Sequence, residues 1–160
     1  MAKTTSQRKP RTTRLRQASG AAGPRRPATA KATASDGEAG TKAPKKLPKQ
    51  VQAAVDAARD KKAFGVVVLD LKKAGAFTDY FVICSAANPR QVQAIADAIE
   101  ESLKAQKQRP SLVEGYARAE WILLDYFDFV VHVFSRHARD FYGLDRLWGS
   151  ATRIEVPDLP

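Results

Sequence analysis

The 160-residue chain holds one cysteine, Cys84, and two histidines, His132 and His137. A lone thiol forms no internal disulfide, so a reducing compartment is the simplest home. One Cys and two His cannot close a zinc site, and no metal or cofactor is expected. Phosphate-cradling glycine loops are missing too: Gly65, Gly75 and Gly115 stand isolated, with neither GxGxxG nor a P-loop pattern around them. No apolar run approaches the roughly 18 residues of a membrane span. None follows the charged start as a secretory signal would require, so no membrane association is expected.

Aromatic residues are absent from the first 50 positions, and all 7 Phe, 4 Tyr and 2 Trp lie beyond position 60. That first stretch has 10 Ala, 7 Thr and 5 Pro, with Leu15 and Leu47 its large aliphatics besides Met1. Such a composition buries too little apolar surface to offset ordering entropy. Residues 1–47 are therefore expected to be a disordered tail, with an end-to-end distance of roughly 40 Å. Charge divides at the same place. Residues 1–50 carry 13 Lys and Arg against Asp36 and Glu38, or +11, while residues 51–160 carry 14 basic and 15 acidic residues, or −1. The net charge of +10 belongs to the tail. This excludes a uniformly basic nucleic-acid-binding domain. The tail itself can neutralise phosphates without reading bases, or it can be a solubilising extension. Its acid-poor, Arg- and Thr-rich start also overlaps in composition with organellar transit peptides.

Residues 48–156 read as one folded domain, with 157–160 as a short C-terminal tail. Val51, Ala54, Val55 and Ala58 recur at helical spacing after Pro48, predicting a helix over 49–62. Gly65–Leu71 and Tyr80–Cys84 are β-branched and aromatic runs that read as strands. Asn88-Pro89 is a cap followed by a first-turn proline. Val92, Ile95, Ala96, Ile99 and Leu103 then mark a helix to about Lys107. Ser111–Glu114, Trp121–Leu124 and Phe129–Phe134 are further strands, the last apolar on both faces except at His132. Phe141, Leu144 and Trp148 predict a final helix over 138–148, ended by Gly149. The order α-β-β-α-β-β-β-α specifies a mixed β-sheet flanked by helices, in the α/β or α+β class.

Candidate chemistry is sparse. Cys84 and His132 both fall on predicted strands, yet a Cys inside FVIC reads as a small core hydrophobe and His132 as a hydrogen-bonded core residue. Asp70, Asp79, Asp125 and Asp128 sit at strand ends, where acids hold Mg²⁺ in some enzymes and simply bond turn amides in many others. Without a phosphate-binding turn before them, the second role fits better. Arg136, Arg139 and Arg146 alternate with Asp140 and Asp145, as on a solvated helix. The residues by themselves point to no enzyme.

The folded region resembles a known family. VVLDL at 67–71, TDYFVIC at 78–84 and RQVQAIAD at 90–97 carry the likeness, with VEG at 113–115 and WILLD at 121–125. DFVVHVF at 128–134 and the run from Arg139 to Trp148 complete it. Together residues 64–156 resemble the ribosomal silencing factors, also called Iojap-like proteins. The chain departs from that pattern at Ala86 and Asn88, where Gly and Ser are usual, at Phe127 in place of Gly, and at Asp145 in place of Glu.

The resemblance implies a nucleotidyltransferase-like fold without established catalytic residues. It implies binding to the large ribosomal subunit through large-subunit ribosomal protein fourteen, and repression of translation by keeping the small subunit from joining. By this match Trp121 is an apolar anchor, and Asp79, Glu114, Asp125 and Asp128 are charge partners for a basic protein, with Tyr142 and Trp148 beside them. A ribosomal RNA contact through the tail, a role in ribosome assembly and a homodimer stay open. Bacterial cytoplasm, mitochondrion and plastid are all compatible.

Overall fold

The structure, a computed structural model, describes residues 46–159. The expected tail lies outside these except for Lys46 and Leu47. The elements are α1 (Lys49–Asp60), β1 (Phe64–Asp70), β2 (Tyr80–Ala86), α2 (Pro89–Lys104) and β3 (Leu112–Glu114). β4 (Trp121–Asp125), β5 (Phe129–Ser135), α3 (Arg136–Tyr142), α4 (Leu144–Leu147) and β6 (Thr152–Glu155) follow. The six strands form one mixed sheet in the order β3-β4-β5-β2-β1-β6. β2 and β5 run parallel at its centre, and every other pairing is antiparallel. This is the mixed-sheet, helix-flanked class that the residue pattern predicts.

Local chemistry sets the two long helices. Asn88 accepts a hydrogen bond from the Gln91 amide at 2.8 Å, and Pro89 opens the first turn, where its missing N–H costs nothing. Val51, Ala54, Val55 and Ala58 of α1 and Val92, Ile95, Ala96, Ile99 and Leu103 of α2 are all buried, as their spacing predicts. Both helices pack on one face of the sheet, against Val66, Val68, Val82, Cys84, Ile122, Leu124, Val131 and Val133. Opposed strand residues share a face. Val67, Leu69, Phe81, Ile83, Val130, His132 and Phe134 therefore point to the other side.

Two expectations need correction at the C-terminal end. The single helix over 138–148 is two short ones, broken at Gly143, whose φ of 55° lies in the left-handed region that glycine enters without penalty. The break leaves Phe141 exposed, not buried as its spacing suggested. It also lets Asp145 turn back to meet Arg139 at 2.6 Å. Arg139 is thus not a solvated helix residue. Its guanidinium donates to the Gly65 carbonyl and the Ser85 hydroxyl as well, joining α3 to β1, β2 and α4. Burial alone would raise the Asp145 carboxyl, but the Arg139 hydrogen bond and charge outweigh it and hold it below its ordinary value. β6 was not anticipated. Its one apolar residue, Ile154, with Val156 just beyond its end, is too little to signal a strand without the partner edge of β1 that receives it. Among the described residues, no helix is long and apolar enough to cross a membrane.

Candidate docking site

The two faces of the sheet are covered unequally. On the face away from α1 and α2, the chain segments Ala74–Ala76, α3, Leu144, Trp148 and Ala151 pack over Val67, Leu69, Phe81, Ile83, Val130 and Phe134. The β3–β4 side of that face is left half open. Register places Leu112 opposite Asp125, Glu114 opposite Leu123, Leu123 opposite His132 and Trp121 opposite Phe134. All of these side chains share the open face. Trp121, Leu123 and Asp125 are half-buried, and Leu112 and Glu114 are exposed.

Trp121 is its centre and is held from three directions. Its ring stacks on Phe134 at 4.9 Å between centroids and meets Tyr142 at 4.7 Å. Its indole N–H donates to His132 Nδ1 at 3.1 Å. That bond fixes the imidazole with its proton on Nε2, which is buried with the Phe81 ring set edge-on at 4.7 Å. Burial lowers the His132 pKa to about 4, so the ring is neutral near pH 7 and remains an acceptor for Trp121. The α3 residue Tyr142 reaches β4 because the chain turns into a helix directly after β5, with Ser135 capping it through the Ala138 amide at 3.2 Å. Gly115, at φ 78°, leaves β3 where any Cβ would collide with the Trp121 carbonyl. A larger residue there would push the strand bearing Trp121 aside.

The acids divide into two groups. Glu114 and Asp125 flank the open face itself. Asp125 lies four residues along β4 from Trp121, roughly 13 Å away, and its Oδ1 accepts the Phe127 amide at 2.8 Å. Asp79 and Asp128 lie beyond the same end of the sheet, tied together by the Asp79 amide and Asp128 carbonyl at 3.0 Å. None of these four carboxylates is ion-paired among the described residues. Tyr142 thus joins Trp121, whereas Trp148 does not. Its ring meets Phe81 edge-on at 5.7 Å and closes the core.

Other chemistry is not assembled. Ile83 pairs with His132 and Cys84 with Val133, so Cys84 and His132 point to opposite faces. Cys84 is fully buried, and burial pushes its thiol up to about 12, which keeps it protonated. Among the described residues no three His, Cys, Asp or Glu side chains gather as metal ligands. The groove of about 730 Å³ between α1 and β6 is lined by Leu47, Ala53, Ile154 and Val156, far in the fold from Trp121. Sequence reasoning missed His132 as the group that orients Trp121, and Leu112, Leu123 and Phe134 as its apolar surround. Strand alternation through W-I-L-L-D was the available signal, because it puts Trp121, Leu123 and Asp125 on one side.

Comparison with known proteins decides the family. The family model for the ribosomal silencing factor during starvation matches residues 44–160. The chain belongs to this family. A ribosomal silencing factor of Halalkalibacterium halodurans is 42% identical over 106 residues, covering 66% of this chain and 91% of that protein. A crystal structure of a Chromobacterium violaceum protein superposes with a TM-score of 0.63 at 30% identity, covering 66% of this chain and 88% of the other. A more distant relative is the mouse protein named for mitochondrial assembly of the ribosomal large subunit. It is 28% identical over 93 residues, which are 56% of this chain and 41% of that protein. The silencing-factor match thus spans the described fold, including Trp121 and its surround.

Proposed function

We propose that this protein binds the large ribosomal subunit and represses translation by keeping the small subunit from joining. The partner on the subunit is large-subunit ribosomal protein fourteen, and the surface that meets it is the half-open face around Trp121. Family membership supports the ribosomal setting, and the observation that carries the surface is the pre-organised Trp121 with carboxylates free of ion pairs along the same face and at its end. A rigid aromatic loses little freedom on binding, and anchors of this kind dominate interface energetics. Glu114, Asp125, Asp128 and Asp79 complement a basic ribosomal protein. A folded region of this size has a radius of gyration near 13 Å and is roughly 35 Å across. Lodged at an intersubunit contact, it blocks joining by bulk alone, and no catalytic step is required.

Sucrose-gradient sedimentation tests this reading. The full chain should comigrate with large subunits and reduce joined ribosomes, and Trp121→Ala and Asp125→Lys should each weaken comigration about tenfold or more. Comigration with small subunits alone, or unchanged profiles, would refute it. A second reading, as an RNA-binding assembly factor acting through the tail, draws on the +11 charge of residues 1–50. It requires that removing residues 1–46 abolish binding, whereas docking through the Trp121 face predicts that a less salt-sensitive association survives. The bacterial cytoplasm is the proposed setting, with mitochondrion or plastid as the alternative.

A further inference from the structure

At the acidic end of the sheet, two large apolar side chains stand mostly in water, Phe77 meeting the buried Phe81 ring at 6.2 Å between centroids. Phe77 is 79% exposed and Phe127 is 82% exposed. They sit on neighbouring loops held together by two hydrogen bonds, Thr78 Oγ1 to the Phe127 carbonyl at 3.1 Å and the Asp79 amide to the Asp128 carbonyl at 3.0 Å. Phe127 also has a φ of 75°, a left-handed backbone that a bulky side chain enters only at a cost. Its amide is pinned there by Asp125. Neither exposure nor strain helps this domain fold. A glycine would satisfy the turn, so the Phe127 ring is not needed there and is free to meet something outside the domain.

The surroundings narrow what that is. Asp79 and Asp128 are exposed, adjacent to Phe127 in sequence or through the loop tie; neither makes a direct ion pair among the described residues, though Asp79 feels the charge of Lys72. Elsewhere the chain sets its own cations over ring faces: Lys72 Nζ lies 4.8 Å from the Tyr80 centroid, and Arg136 Cζ lies 4.9 Å from that of Phe64. No cation of the described residues covers Phe77 or Phe127. An aromatic face beside a carboxylate is a receptor for guanidinium or ammonium, since the ring quadrupole and the negative charge act together. The same acids repel an anionic lipid surface or a phosphate backbone.

We infer that Phe77, Phe127, Asp79 and Asp128 form a second contact that clamps an arginine- or lysine-bearing segment of the protein seated on the Trp121 face. The inference rests on the proposed docking there, with which this end is continuous through Asp125 on β4. Trp121 is the apolar anchor, and the Phe pair is a reader of positive charge.

The full chain is compared as wild type, Phe127→Gly, Phe77→Ser and Trp121→Ala. Two ligands are used, purified large subunits and an arginine–glycine repeat peptide. Phe127→Gly should leave the melting temperature unchanged or raise it, because it removes backbone strain, yet weaken both ligands by roughly fivefold. Phe77→Ser should weaken them in the same direction, and Trp121→Ala should weaken the subunits while sparing the peptide. Equal affinity of wild type and Phe127→Gly for the peptide overturns the clamp. So does a loss of self-association in Phe127→Gly with peptide affinity kept, which would make a second copy the occupant. If wild type fails to bind subunits, the docking reading falls, and the peptide comparison still decides the clamp.

Discussion

The two faces of one sheet show how this domain separates stability from recognition. Against α1 and α2, the sheet contributes Val66, Val68, Val82, Cys84, Ile122, Leu124, Val131 and Val133, all buried and apolar. Against α3 and α4, it carries a buried histidine, and a half-buried arginine ties the cover down. The first face is closed by two regular helices with continuous apolar stripes. The second is closed by two short helices whose Phe141 and Leu147 project to solvent, and it stops short of β3 and β4. Dense packing secures the fold from one side, so the other side can hold a tryptophan half in water.

Several measurements can break that division. The largest effect belongs to the closed face. Ile99 is fully buried on the inner face of α2, and Ile99→Ala should cost about 3–4 kcal/mol, lowering the melting temperature by roughly 10 °C or more. Binding to large subunits, measured well below the new melting temperature, should be unchanged. Binding that falls in parallel would mean the two faces are not independent.

The next effect tests the polar group inside the open face. The unfolded chain's imidazole titrates near 6.5, whereas buried His132 has a pKa of about 4. As pH falls between these values, only the unfolded state takes up the proton, so stability present above pH 6.5 is lost toward pH 4. The loss should be about 3 kcal/mol. Urea midpoints across that range should show it in the wild type. His132→Asn, which keeps an acceptor for Trp121 but cannot titrate, should flatten the profile. An equal slope in both proteins would place the acid sensitivity elsewhere.

Trp121→Phe should have the smallest cost in stability, about 1–2 kcal/mol, as the ring contacts largely remain while His132 Nδ1 loses its donor. Subunit binding should fall more than this stability loss suggests, because the anchor is no longer oriented. Equal binding would show that apolar area at position 121 suffices and its orientation does not matter.

Much of the closed face was legible in the residues. The helical stripes of α1 and α2, the Asn88-Pro89 start and the strand runs at 80–84 and 129–134 are local patterns, and local patterns are written along the chain. The candidate site was legible in its members but not in its arrangement. Trp121, Glu114, Asp125 and Tyr142 come together across three elements, and only strand register decides that Glu114 shares the face of Trp121 and Asp125. Arg139 and Asp145 read as solvated charges because their partners, Gly65 and Ser85, are 74 and 54 residues away from Arg139. β6 was illegible for the same reason, its pairing being entirely with β1.

By itself, the order of residues determined the division of charge, most of the core-forming segments and the two helices that close one face. Each follows from composition or from a period of 2 or 3.6 that neighbouring residues express. The tertiary structure decided which edge stays open, how Trp121 is clamped by His132, and that Phe77 and Phe127 share one end. Those outcomes depend on contacts between residues distant along the chain, where no local periodicity reaches.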